Sequence, residues 1–230
     1  MRKAYMNWSS GKDSAMALHA IQRSNELQLD RLFTTINSST DRVSMHGLKR
    51  DLLHKQAECL GLPLDLLELP ALPDMDTYNQ LMHVRVSSLK SQGYHDCVCG
   101  DIFLEDLRDY RIQQLQRVER EAHFPLWQKD TKALMNQFLQ DGFRAVVVAA
   151  NDKWFDQSFV GSELGQELLN QLPEEVDPCG ENGEFHTFCF DGPIFKQPVS
   201  FQIGEKVMQK YPAPAEGEKE VGFWFCDLIA

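Results

Sequence analysis

No apolar run in this sequence approaches the roughly 20 residues that a bilayer-spanning helix needs, so no membrane partner is expected. No apolar stretch follows Met1-Arg2-Lys3, which reads as the absence of a signal peptide and makes the cytosol the expected compartment. Basic charge is in deficit: 23 Lys and Arg against 34 Asp and Glu leave a net charge of −11. That balance opposes broad binding to nucleic acid, whose affinity rests on neutralising phosphates, although Lys49 and Arg50 keep a local basic face open. The six cysteines include no C-x-x-C pair, and free thiols are expected of them rather than disulfides. Side chains alternate along a strand, and on that basis Cys97 and Cys99 are expected on opposite faces, sharing no metal. A zinc site from Cys179, His186 and a distant cysteine is a minor alternative. Internal repeats and low-complexity tracts are missing too.

What is present is an alternation of strand and helix. Apolar or β-branched runs at residues 4–6, 31–37, 64–69 and 97–99 read as strands. Helical periods cover residues 15–21, 47–60 and 76–91, with Gly61 and Gly93 as stops. The pattern predicts an α/β fold with a parallel sheet covered on both faces. A charged helix is expected over 104–123, further helices over 132–140 and 162–172, and a buried strand over 145–150. Beyond Pro173 short strands are expected around Phe188 and Phe190, at 199–203 and at 223–226, with a Pro- and Glu-rich loop at 212–218. The division is placed at 1–130 and 131–230, with a soft boundary between 125 and 145. Trp127 and Trp154 read as packing residues.

Trp8-Ser9-Ser10-Gly11-Lys12-Asp13-Ser14 joins the first strand to the first helix, where backbone N–H groups and a helix N-terminus favour an anion. The plain alternative is a turn with Asp13 or Ser14 as helix cap. The Walker pattern is not met, because no glycine stands five residues before Gly11. The order Ser-Ser-Gly-Lys-Asp-Ser instead resembles the PP-loop, S-G-G-x-D-S, of N-type ATP pyrophosphatases. Ser10 replaces the usual first glycine, so its backbone is expected to be one that a non-glycine residue tolerates.

A second polar stretch, Cys179-Gly180-Glu181-Asn182-Gly183-Glu184-Phe185-His186-Thr187, is either solvated surface or a pocket pinned by Phe185, Phe188 and Phe190. Together with the PP-loop and with Asp191-Gly192-Pro193-Ile194-Phe195, it resembles the diphthine–ammonia ligase family. The stretch from Gly100-Asp101-Ile102 to Tyr110-Arg111 is similar to that family's Gly-Ala-Ile…Tyr-Gln-Arg segment. It departs in placing Asp101 at a small-residue position and in lacking the glutamine.

The resemblance implies a HUP-type nucleotide-binding domain followed by a smaller α/β domain. It also implies adenylation of a carboxylate by ATP, loss of pyrophosphate, and displacement of AMP by ammonia or an amine. Such chemistry needs no protein nucleophile, so the lack of a Ser-His-Asp pattern is no objection. ATP and Mg2+ are the expected cofactors. The acceptor would be protein-borne diphthine or a small metabolite, and a homodimer is compatible. Ser9, Ser10, Gly11, Lys12, Asp13, Ser14, Gly100 and Asp101 would hold the nucleotide, with Asp13 on the metal. Lys12 and Asp13, with Glu181, Glu184 and His186, are the catalytic candidates. Glu181 and Glu184 would bind the amine or act as base, while Asn182 and His186 would orient the acyl group. His46, Tyr110, Arg111 and Gly180 complete the substrate candidates. Two alternatives stand beside this: a tRNA-modifying PP-loop enzyme and a non-catalytic nucleotide-binding module.

Overall fold

The computed structural model describes residues 1–43, 46–212 and 220–230. Strand β1 (Arg2–Asn7) lies inside a parallel sheet, between β2 (Leu27–Asn37) and β5 (Tyr94–Val98). The sheet continues to β6 (Glu121–His123) beside β5 and to β4 (Leu64–Leu69) beside β2. A two-residue β3 (Arg42–Val43) pairs antiparallel with the end of β2. Between these strands run α1 (Lys12–Ser24), α2 (Arg50–Leu60), α3 (Met75–Ser91) and α4 (Glu105–Gln116). The fold is therefore the expected α/β class with a mostly parallel central sheet. Layers on both faces explain why Ala4, Tyr5 and Met6 are all buried.

A second, antiparallel sheet has the order β8-β7-β10-β9. Its strands are β7 (Arg144–Asn151), β8 (Phe185–Asp191), β9 (Gln202–Pro212) and β10 (Glu220–Ile229), with α5 (Thr131–Gln140) and α6 (Gln166–Asn170) before β7 and β8 respectively. One apolar cluster runs between both sheets, including Met6 of β1, Leu18 of α1, Val147 of β7 and Phe188 of β8. A smaller cluster lies on the other face of the parallel sheet, built on Tyr5, Phe33, Cys97, Cys99 and Leu115. No described helix is long and apolar enough to cross a membrane.

Several expectations are corrected. The helix over 104–123 ends at Gln116, and β6 follows it. The buried Arg120 guanidinium forces the turn by donating to the carbonyls of Tyr94 and Val86. The helix over 162–172 shrinks to α6, because the Leu164 N–H donates to the Ala145 carbonyl and Ser162 accepts from Val147. The strand at 199–203 starts only at Gln202. The loop at 212–218 falls, from residue 213 on, outside the described residues. Cys97 and Cys99 do not face opposite sides: residues two apart on a strand share a face, and their sulfurs lie 3.8 Å apart.

Candidate functional site

The N-terminus of α1 is capped by Gly11, which offers no side chain to the first N–H groups. That rules out Asp13 or Ser14 as the helix cap and leaves the N–H groups beyond that of Lys12 for an anion. The loop folds on itself through the hydroxyls of Ser9 and Ser14, 2.6 Å apart, with the Ser9 N–H donating to Ser14 Oγ. The exit of β5 presses against it: a Cβ on Gly100 would stand 2.9 Å from the Asp13 carbonyl carbon.

The far loop, residues 179–187, meets this helix end directly. Lys12 N donates to Thr187 Oγ1 at 3.2 Å. The Lys12 ammonium, almost wholly buried, donates to the Cys179 carbonyl and to Asp13 Oδ2, the latter at 2.8 Å. Burial alone would lower Lys12, but Asp13, Cys179 and Glu181 outweigh it and its pKa is raised. Burial raises the Asp13 carboxyl, against the pull of Lys12. Asp13 Oδ1 is buried with no hydrogen-bond partner among the described residues. A carboxylate oxygen held in that state fits a hard cation such as Mg2+, which binds oxygen and keeps few protein ligands.

These groups line a cavity of about 820 Å3, large enough for a nucleotide with room beside it. Of the expected residues it contains Ser9, Lys12, Asp13, Ser14, His46, Gly100, Asp101, Arg111, Gly180, Glu181, Asn182 and His186. Arg111 Nε donates to Asp101 Oδ1 at 3.1 Å and keeps its charge, since Cys99 and Asp101 more than offset the cost of burial. Gly180 is required by its φ of +68° and by the Phe185 carbonyl, 2.8 Å from where a Cβ would stand.

Glu181 accepts from the Ile102 N–H at 2.8 Å, and its pKa is raised to about 7, by burial first and then by Asp13 and Asp101. A carboxylate so poised can exchange a proton at neutral pH. The His46 and His186 rings lie 4.8 Å apart. Burial is the main cause that lowers them to about 4 and about 3, so both are neutral at pH 7. His46 faces the cavity rather than open solvent, with Nδ1 3.3 Å from the Thr187 carbonyl.

Four candidates stand elsewhere. Glu184 is buried off the cavity and accepts from the Asp177 N–H, the Asn182 N–H and Asn182 Nδ2. It holds the loop's shape and is not free to take up an amine. Tyr110 donates to Asn79 Oδ1 at 2.6 Å and turns away from the main cavity. Gly11 lies beneath the wall, where a Cβ would meet His46 Cε1 at 3.0 Å and the Thr187 carbonyl at 3.1 Å. Ser10 is fully buried below it, with φ +73° and an Oγ lacking a partner among the described residues. Its left-handed backbone is one that glycine tolerates better, contrary to expectation.

The zinc alternative is not supported: among the described residues the sole cluster of three or more ligating side chains is Asp96, Glu121 and His123. Sequence reasoning missed Asn7, Thr34 and Thr35 at the carboxyl ends of β1 and β2, a location that parallel sheets give to ligands. It also missed Tyr78 and Met82 on α3 and Phe223 on β10, which carry no local signal.

Comparison with known proteins identifies the family. The model of the diphthamide synthase N-terminal domain matches residues 1–122, and that of the diphthamide synthase C-terminal domain matches residues 130–216. The chain is 29% identical over 142 residues to a diphthine–ammonia ligase of Danio rerio, covering 58% of this chain and 52% of that protein. It is 24% identical over 209 residues to a diphthine–ammonia ligase of Schizosaccharomyces pombe, covering 83% and 34% respectively. The chain thus spans between about a third and a half of the length of these relatives. A solved structure described as a predicted subunit of tRNA methyltransferase from Methanocaldococcus jannaschii aligns with a TM-score of 0.39 and 18% identity, over 68% of this chain and 81% of that one.

Proposed function

The chain belongs to the diphthamide synthase family, and on that premise we propose that it is an ATP-dependent ligase forming an amide from a carboxylate and ammonia. The observation that carries this reading is the meeting of two loops at one cavity. A helix N-terminus with Lys12 and Asp13 suits the leaving pyrophosphate, and Glu181 lines the same cavity with a pKa near neutrality. Neither feature alone implies ligation. Together they supply an anion site and a proton acceptor within the same walls.

In the proposed reaction a carboxylate oxygen attacks the α-phosphate of ATP and pyrophosphate leaves. Ammonia then displaces AMP from the acyl adenylate and loses a proton. Negative charge builds on the departing pyrophosphate, where the Lys12 ammonium and the first N–H groups of α1 would stabilise it. Mg2+, held through Asp13 Oδ1, would neutralise phosphate charge. Glu181 in its ionised form would accept the proton from the attacking nitrogen. Neutral His46 and His186, with Asn182, would bind the acyl group by hydrogen bonds. Residues 1–130 are taken as the nucleotide half and 131–230 as the acceptor half. The acceptor itself would be diphthine or a carboxylate of similar chemistry, by analogy with the names of the relatives.

The test is direct. Protein incubated with ATP, Mg2+, ammonium and candidate carboxylates is expected to give AMP and pyrophosphate in step with amide. Release of ADP and phosphate would overturn the reading. Lys12→Ala should lower kcat by about 100-fold or more, and wild-type turnover in that variant would remove the pyrophosphate assignment.

A further inference from the structure

Cys97 and Cys99 take no part in the ligase reading, yet they form the closest thiol pair described in the molecule, with sulfurs 3.8 Å apart on one face of the β5 end. Both are buried in the smaller apolar cluster, where no disulfide links them. Beside them lies a cavity of about 60 Å3, lined by Tyr5, Cys97, Cys99, Arg111 and Leu115 among others. Asn7, Tyr78, Met82 and Arg111 also line the main cavity, so the two cavities adjoin through these side chains.

We propose that the Cys97–Cys99 pair is a binding site for a soft monovalent metal ion of the copper(I) class. Geometry sets the first condition. Bonds of about 2.3 Å from one ion to each sulfur are long enough together to bridge the 3.8 Å between them. Donor count sets the second. The described residues hold one cluster of three or more hard or borderline ligands, Asp96, Glu121 and His123, and neither cysteine belongs to it. A site limited to two thiolates does not complete the tetrahedron that zinc requires, whereas thiolates select copper(I).

Charge sets the third condition. Binding converts two thiols and one monovalent cation into a complex of net charge −1, releasing two protons to solvent. Buried anions are costly unless paired. Here the Arg111 and Arg120 guanidiniums both act on Cys97, and Arg120 lies 5.5 Å from the ring centroid of the neighbouring Tyr5. Arg111 would then be shared between the metal complex and Asp101 of the main cavity.

The experiment is an anaerobic titration with copper(I) against a chromogenic chelator. Wild type and Cys59→Ala are expected to retain one ion per chain, while Cys97→Ser and Cys99→Ser lose it. No retention by wild type, or undiminished retention by a folded Cys97→Ser/Cys99→Ser double variant, would overturn the proposal. Should the serine variants fail to fold, wild-type crystals soaked with silver(I) decide it. An anomalous peak between the two sulfurs supports the site, and a peak elsewhere or none refutes it.

Discussion

Ser10 sits at φ +73° with its hydroxyl buried and unpartnered among the described residues, so two costs fall on one residue. The left-handed backbone costs a non-glycine residue about 1 kcal/mol, and an unsatisfied buried hydroxyl adds to that. Its carbonyl nevertheless takes two hydrogen bonds, from Gln56 Nε2 at 3.0 Å and the Cys189 N–H at 3.0 Å, which hold the strained shape. Ser10→Gly is therefore expected to stabilise the fold by about 1 kcal/mol, seen as a rise of about 2–4 °C in Tm. An unchanged or lower Tm would mean that the hydroxyl has a partner after all. The two glutamates of the far loop separate in the same way. Glu181→Gln should abolish the rise of kcat/KM with pH through about 7 that an ionised base requires. Glu184→Gln should leave that profile intact and cost about 1–3 kcal/mol of stability, because it disturbs an acceptor of three N–H bonds.

At the scale of elements, the site depends on the distance between the exit of β5 and the start of α1. Gly100 makes that approach possible, since a Cβ there would meet the backbone of Asp13 at 2.9 Å and Ser14 N at 3.0 Å. Backbone cannot swing aside as a flexible side chain can. Gly100→Ala is expected to cost about 1–3 kcal/mol by overpacking and to raise KM for ATP, measured by thermal melts and steady-state kinetics. Elements of this kind were legible where local signals agree. The strand β4 is an apolar run closed by Pro70, and α2 ends at Gly61 with φ +70°, both as their residues imply. The strand β6 was not legible, because residues 117–123 continue a charged helical stretch and only pairing with β5 makes them a strand. Phe223 reaches the cavity by the same kind of non-local pairing, through β10 against β7. The glutamates of residues 179–187 read alike in sequence. Their roles part only because the loop turns Glu184 inward onto its own N–H groups.

For the whole molecule, the junction of the two sheets sets how the protein responds to acid. His46 precedes α2 on the parallel sheet and His186 lies on β8 of the antiparallel one, so their 4.8 Å contact exists only in the assembled fold. Burial first, then Lys12 and for His186 also His46, holds them near pKa 4 and 3, against about 6.5 when unfolded. The unfolded chain thus takes up protons below pH 6.5 that the folded chain refuses. Stability from this pair is present above pH 6.5 and is lost as pH falls toward 4 and then 3. Glu181 works in the opposite sense, because its folded pKa of about 7 lets the folded state hold a proton that the unfolded glutamate has released. The two contributions overlap between pH 6.5 and 5, so the histidine effect is best read in Glu181→Gln protein. In that background Tm should fall steadily from pH 6.5 to 5, and adding His46→Gln and His186→Gln should flatten the slope. A slope unchanged by the histidine substitutions would show that closure of the two sheets does not keep the rings neutral.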